Sequence, residues 1–235
     1  MILYESTHEG TRYELGTSGF LYRSDKLMYD RKTQSLWNTL QGRPVIGPLA
    51  GRSIRLARRS VVTTTWGEWR RRHPETTVLA LETGFSRNYG EGVAYREYFS
   101  TDDLMFNVAV TDKRLANKAE VLGLVFDEAK GESLAIEIDY LEAHPVYHGE
   151  LGGRKFVVFT DRSGAARVYE SGGITFKTWD RDRVLRDDRD RVWKLFEDRI
   201  ESETGKKLLR LPQHRAFWFG WYAAFPQTRL VYNPR

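Results

Sequence analysis

Apolar and polar residues alternate along much of the chain, a pattern with the period of two that is typical of half-buried β-strands. Where such runs are bounded by glycine or polar turn residues, strands are predicted at 119–126, 133–139 and 156–159. Helical periodicity is confined to a few short segments. The pattern therefore predicts a mainly β chain with a few short helices.

The clearest helix signal surrounds a pair of tryptophans near the start of the chain. Thr65 and Glu68 have the spacing of a capping box, and Pro74 ends the segment. A second helix is predicted over 217–225, where apolar residues occur all round, so it should be buried.

These two helical segments belong to an internal repeat. Trp-Gly-Glu-Trp at 66–69 recurs as Trp-Phe-Gly-Trp at 218–221, and each is followed at the same spacing by Pro-x-Thr, an offset of 152. Upstream, Trp37 matches Trp193 at an offset of 156. We interpret the chain as an internally duplicated β module, because repeated tryptophans indicate packing that both copies preserve.

The alignment of the copies gives expected boundaries: a first repeat at 1–85, a connecting segment at 86–112 and a second repeat at 113–235. Residues 118–166 have no counterpart in the first copy, so we expect that copy to be truncated at its N-terminus or the chain to be a piece of a longer protein. Its sheet should then show a vacancy that favours self-association through an uncovered edge.

Two further predictions follow from the repeat. Trp69 and Trp221 should both be mostly buried, each beneath its own sheet. Residues 190–204 have apolar residues at helical spacing, but the matching stretch of the first copy is rich in glycine and proline. Because those residues exclude a single helix, we predict that 190–204 is mostly extended.

Composition excludes several classes of function. The chain has no cysteine, which excludes disulfides, thiolate metal sites and a cysteine nucleophile. The longest strongly apolar stretch, 216–225, is far shorter than the ~20 residues of a membrane span. No secretion signal is present in this chain. No membrane association is expected, and a cytoplasmic location is the default.

The positive charge is concentrated in the first third of the chain. Residues 1–74 carry a net charge of +7, and residues 75–235 carry −2. Two arginine clusters account for much of the excess and are candidates for anion binding: Arg52, Arg55, Arg58, Arg59, Arg70, Arg71 and Arg72. They predict weak, non-specific nucleic-acid binding, with a solvated face and a helix end as the alternative.

Recognised catalytic motifs are absent from the sequence. It contains no phosphate loop, dinucleotide fingerprint or serine-hydrolase elbow, and no cofactor or metal is predicted. His144 and His148 have a ligand spacing only if helical, and Pro145 lies between them. If the chain is an enzyme with a non-thiol site, the polar candidates for carrying protons or binding substrate are Asp30, Ser35 and His73.

Several strings of residues resemble a known family. They are Ser-Gly-Phe-Leu at 18–21, Leu-Met-Tyr-Asp-Arg at 27–31, Gly-Pro-Leu-Ala-Gly at 47–51, and the two tryptophan segments with their Pro-x-Thr. Over nearly the whole chain they resemble the bacterial and archaeal domain-of-unknown-function family DUF3179. The resemblance brings no established reaction.

The resemblance does imply one reactive feature. Members of the family carry a Cys-Pro-Leu-Cys-Gly segment, sometimes with selenocysteine, just before the strand that corresponds to residues 2–5. This chain begins after that position, and its second copy has no thiol at 161–166. We therefore expect a binding or structural module that is non-enzymatic or catalytically incomplete. The alternatives are a thiol or selenol redox enzyme, or another small-molecule enzyme, whose active segment lies upstream, and a weak nucleic-acid binder.

Overall fold

The computed structural model describes residues 1–126 and 131–234. Strands dominate these residues and the helices are short, so the prediction of a mainly β chain is confirmed. Among the described residues, no helix has the length and apolar character needed to cross a membrane.

The first part of the chain is built around a four-stranded antiparallel meander. Its strands are β4 (Leu15–Tyr22), β5 (Asp25–Asp30), β6 (Leu36–Asn38) and β7 (Arg43–Ile46). The smaller elements are β1 (Leu3–Tyr4), which pairs with β8 (Arg58–Arg59), and the hairpin of β2 (Thr7–His8) and β3 (Thr11–Arg12). Trp37, Leu49 and Leu56 form the core of this part.

Two helices separate this meander from the rest of the chain. Helix α1 covers Trp66–Arg72 and helix α2 covers Arg96–Ser100. Thr65 caps α1 as predicted, since its hydroxyl accepts a hydrogen bond from the Glu68 amide at 3.3 Å. Residues 73–95 between the helices contain no strand or helix, and nearly all of them are exposed.

The second part contains three sheets and two helices. The first sheet has the order β19–β9–β10–β20 and consists of β19 (His214–Phe217), β9 (Glu120–Leu124), β10 (Leu134–Glu137) and β20 (Arg229–Val231). The second is the meander β11 (Val146–Leu151), β12 (Arg154–Thr160) and β13 (Ala166–Glu170). The third is the meander β14 (Phe176–Trp179), β15 (Val184–Asp187), β16 (Val192–Leu195), β17 (Arg199–Ser202) and β18 (Lys207–Leu209). The helices are α3 (Ile138–Ala143) and α4 (Trp218–Ala224).

Alternating side chains explain how these sheets stack. Phe156 and Val158 of β12 face the sheet of β9 and β10, where Leu122 and Leu124 complete one core. The intervening residues of β12 face the five-stranded meander and enter a second core. Helix α4 covers the opposite face of β9 and β10. Because β12 is buried on both faces, its sequence is a continuous apolar run rather than an alternating one.

The extended conformation predicted for residues 190–204 is confirmed. Strands β16 and β17 occupy this segment, and Trp193 and Leu195 of β16 are buried in the core of the five-stranded meander. The apolar residues there satisfy a helical spacing by coincidence, and pairing with the neighbouring strands determines the structure instead.

The two tryptophan helices have the same local geometry. The residues at their C-terminal ends, His73 and Phe225, have φ/ψ of −132°/69° and −133°/69°. The Trp69 indole donates to Thr76 Oγ1 at 2.9 Å, and the Trp221 indole donates to Thr228 Oγ1 at 3.0 Å. This agreement accords with the repeat, while the duplication of the whole module stays an interpretation.

The prediction that both tryptophans are buried is wrong for Trp69. Trp221 is 0% exposed, whereas Trp69 is 42% exposed and Trp66 is also largely exposed. Trp221 packs against the backbone at Gly123 of β9, so closely that a Cβ there would collide with the indole. Helix α1 has no such sheet beneath it among the described residues.

We predict that the two equivalent substitutions differ in cost. Trp221→Ala should lower the free energy of unfolding by about 3–5 kcal/mol, because it leaves a cavity above β9. Trp69→Ala should cost much less, since its ring is already in partial contact with water. Urea denaturation of both variants tests this, and equal losses would contradict the assigned burial.

Candidate functional site

A cleft of about 600 Å³ lies where the first meander meets the second part of the chain. The meander contributes Leu15 and Met28, and the opposite wall contains Phe217 and Phe219 at the junction of β19 and α4. The lining is mainly apolar. Its size falls within the range of small-molecule sites, which are usually lined by apolar side chains with a few polar groups.

The polar groups at this cleft include Asp25, Lys26, Thr39 and Arg215. Asp25 accepts hydrogen bonds from Thr39 Oγ1 at 2.6 Å and from the Leu40 amide at 2.8 Å. Burial raises the pKa of the Asp25 carboxyl above its usual range, against the effect of these hydrogen bonds. A carboxyl with such a pKa beside an apolar cavity is a common feature of binding sites.

The cleft is held in shape by contacts between distant segments. Gln41 Nε2 donates to the Ala224 carbonyl at the end of α4 at 3.2 Å. Arg58 donates to the Leu40 carbonyl at 2.8 Å, and its guanidinium lies 6.0 Å from the centre of the Phe225 ring. The two walls are therefore joined by polar contacts as well as by packing.

Two of the three polar candidates from the sequence meet in one turn. Asp30 is buried and accepts hydrogen bonds from the amides of Lys32 and Thr33, at 3.0 Å and 3.2 Å. Ser35 Oγ accepts from the Leu49 amide at 3.0 Å and shares a hydrogen bond with Thr33 Oγ1. These contacts hold the turn between β5 and β6 together, so both side chains serve the fold here.

The third candidate, His73, lies elsewhere. It ends helix α1, where its amide donates to the Trp69 carbonyl at 2.8 Å and its ring stacks 4.1 Å from that of Trp69. No hydrogen bond links it to Asp30 or Ser35 in the part of the chain that the structure describes. The three residues do not form one site in this structure.

The arginine clusters divide into engaged and free side chains. Four members are engaged: Arg58 as described, Arg59 with Glu5, and Arg71 and Arg72 with both Glu68 and Asp182. Arg52, Arg55 and Arg70 have no side-chain hydrogen bond or ion pair within residues 1–126 and 131–234. The anion-binding prediction thus retains three free cations, and weak nucleic-acid binding stays a prediction.

The rings of His144 and His148 each contact backbone polar atoms. His144 ends α3 and its Nδ1 lies 2.8 Å from the Tyr140 carbonyl oxygen. His148 belongs to β11 and its Nε2 lies 3.1 Å from both backbone polar atoms of Phe176. Each ring thus has a structural contact of its own.

The turn at 161–166, which the repeat aligns with the family's thiol segment, holds a buried ion pair. Asp161 Oδ1 accepts from the amides of Ser163 and Ala165, and Oδ2 lies 2.8 Å from Arg167 Nη1. Arg167 also pairs with Glu197 at 3.0 Å. The side chains of this turn therefore contact other parts of the fold.

Sequence reasoning did not identify the residues of the cleft. Asp25 and Met28 are distant along the chain from Phe219. Met28 lies in the string at 27–31 and Phe219 in the repeated tryptophan segment, but neither string indicates that the two residues share a cavity.

The fold and the cleft define a mainly β protein with a cavity at the junction of its two parts. Residues 1–228 match the family described as "Protein of unknown function (DUF3179)". The chain therefore belongs to that family, as its motifs predict. No curated protein and no solved structure was found to match the chain.

A buried histidine lies behind the cleft. His214 of β19 is 3% exposed, and its Nε2 has no hydrogen-bond partner among the described residues. Burial lowers its pKa to about 3, and the positive charges of Arg58 and the N-terminal amine contribute. The ring is therefore neutral in the folded protein at all but strongly acidic pH.

Because the pKa of His214 is lowered in the folded protein, we predict that the protein loses stability in mild acid. Below pH 6.5 the unfolded chain binds a proton at His214 that the folded chain rejects, so stability falls as pH decreases toward 3. Between pH 7.5 and pH 5 the loss from this group should be about 2 kcal/mol. His214→Gln should flatten that dependence in urea denaturation, whereas His8→Gln, outside the core, should keep it. Parallel curves for wild type and His214→Gln would refute the assignment.

Proposed function

We propose that this protein is a non-enzymatic binding module whose cleft between β4–β6 and the β19–α4 junction takes a small, mainly apolar molecule. The observation that carries the proposal is the cleft itself: about 600 Å³, mainly apolar, and built by both parts of the chain. A cavity of this kind is the first place to expect ligand binding.

The polar groups of the cleft suit recognition more than catalysis. Asp25 is fully engaged by Thr39 and Leu40, and Arg215 pairs with Glu120 at 2.9 Å and contacts the Gly164 carbonyl. A general base or nucleophile needs a partner that activates it. Each of these groups is instead held by neighbouring residues, and at the rim it would orient a polar end of the ligand.

The other hypotheses have less support. The thiol or selenol hypothesis places the reactive group in a segment upstream of this chain, and no residue described here supports it, since the chain contains no cysteine. Asp30 is engaged by the amides of its own turn, and Ser35 is engaged by the Leu49 amide. The redox and nucleic-acid hypotheses stay predictions beside the one preferred here.

The neutral dye N-phenyl-1-naphthylamine provides a direct test, because its fluorescence rises when it enters an apolar site. We predict saturable binding to the wild-type protein. Met28→Trp places a larger side chain in the cleft and should weaken that binding at least about tenfold, because the cavity loses volume that the ligand needs. Ile46→Trp, on the exposed part of β7, is the matched control and should leave binding unchanged.

The exposed apolar side chains of residues 78–110 also attract such a dye, and both variants retain that component. Dye binding in the cleft is therefore obtained from the difference in fluorescence between the Met28→Trp and Ile46→Trp variants. If Met28→Trp binds the dye as wild type does while circular dichroism shows an unchanged fold, the cleft is not the binding site.

A further inference from the structure

A surface around helix α1 lacks the partner that its counterpart around α4 possesses. We call it the α1 surface: the segment 62–65 before the helix, the exposed rings of Trp66 and Trp69, and the segment 77–81 after it. Val78, Leu79 and Leu81 in the last segment are strongly exposed, and Leu79 is 94% exposed. Such a contiguous apolar strip is typical of an interaction site.

The counterpart around α4 shows what such a surface packs against. Strand β19, before α4, pairs antiparallel with β9, and Ala216 lies opposite Val121. Strand β20, after α4, pairs parallel with β10, and Leu230 lies opposite Ala135. The hairpin β9–β10 thus fills the space between the two segments that flank the helix, and Trp221 rests on its Gly123.

The α1 surface offers the same elements without the hairpin. By the offset of 152, segment 62–65 corresponds to β19 and residues 77–79 correspond to β20. Neither segment is a strand in the structure. The hydrogen bond from Trp69 to Thr76 fixes the indole as the bond from Trp221 to Thr228 does, so the ring is already set for a sheet beneath it.

We propose that the α1 surface binds a β-hairpin of another polypeptide, which inserts between segments 62–65 and 77–81 and completes a four-stranded sheet. Strand addition of this kind gains backbone hydrogen bonds at an unpaired edge while specific side chains provide selectivity. The hairpin must carry a glycine beneath Trp69, because a Cβ at the equivalent Gly123 would collide with the Trp221 indole.

Continuity with an existing interface supports this position. Gln213 Nε2 donates to the Val61 carbonyl at 2.6 Å, and Thr64 Oγ1 lies 3.1 Å from Ser163 Oγ. Segment 62–65 thus continues directly from the contact between Val61 and Gln213, the residue that precedes β19. An inserted hairpin would extend that contact.

Charge indicates the composition of the partner. Arg70 is exposed, with no side-chain ion pair among the described residues, and Arg71 is also exposed beside it. An acidic side chain on the partner would pair with Arg70. The partner is therefore an apolar, glycine-containing hairpin with an acidic residue near the C-terminal end of α1.

A second copy of this chain is a poorer occupant. Its own hairpin β9–β10 is already paired on both outer edges, by β19 and β20. An intact copy would have to release one of those strands before it could supply the hairpin.

The test uses the full chain and a labelled peptide that joins residues 119–126 to residues 133–138 through an Asn-Gly turn, which favours a hairpin. Fluorescence anisotropy should show saturable binding to wild type. Replacing the peptide glycine that corresponds to Gly123 by leucine should weaken binding at least tenfold. Trp69→Ala and Leu79→Asp, both at exposed positions, should also weaken it, whereas Phe20→Ala, exposed on β4, should not.

Two results would overturn the proposal. The first is binding that is absent, or that ignores both the peptide glycine and Trp69. The second is self-association of the wild-type protein without peptide that Trp69→Ala abolishes, which would assign the surface to a second copy. The dye experiment on the cleft is independent of both, because Met28 lies outside the α1 surface.

Discussion

The contact between the Trp221 indole and the backbone of Gly123 organises the second part of the molecule. Glycine lets the ring approach the strand more closely than any side chain would allow. Through that ring, α4 is fixed on β9, and the indole N–H links the helix to Thr228 just before β20. The position of α4 on the sheet and its link to the segment before β20 therefore depend on one aromatic side chain buried against one glycine.

Helix α1 has the same local structure as α4 but lacks a packing contact like that of Trp221 on Gly123, so the two helices together show what this contact contributes. Helix α1 has equivalent end geometry, the same indole-to-threonine hydrogen bond and a similar aromatic stack, with ring centres 4.1 Å apart for Trp69 and His73 and 4.5 Å for Trp221 and Phe225. Local sequence is sufficient to form the motif. Burial requires a sheet from elsewhere, and because none of the described residues forms one beneath α1, its tryptophans are exposed.

The sequence predicts local features well and tertiary contacts poorly. The cap at Thr65, the strands at β9, β10 and β12, and the extended conformation of 190–204 depend on nearby residues or on the repeat. Trp69 is exposed because no sheet lies beneath it among the described residues, and no local sequence pattern indicates whether such a sheet is present. Arg58 belongs to a basic cluster in the sequence, yet it contacts carbonyls from residues 40 and 125. The cleft likewise joins Met28 to Phe219, a juxtaposition that only the tertiary fold creates.

The amides of His73 and Phe225 provide the most direct comparison of the two tryptophan helices. Each donates an equivalent hydrogen bond at the end of its helix, at 2.8 Å and 2.9 Å. Hydrogen exchange measured by NMR separates local hydrogen bonding from burial, since protection follows the free energy of opening. We predict that Phe225 exchanges at least about 100-fold more slowly than His73, because among the described residues only α4 is held by a sheet. Equal protection of the two amides would contradict the claim that packing on Gly123 distinguishes the two helices.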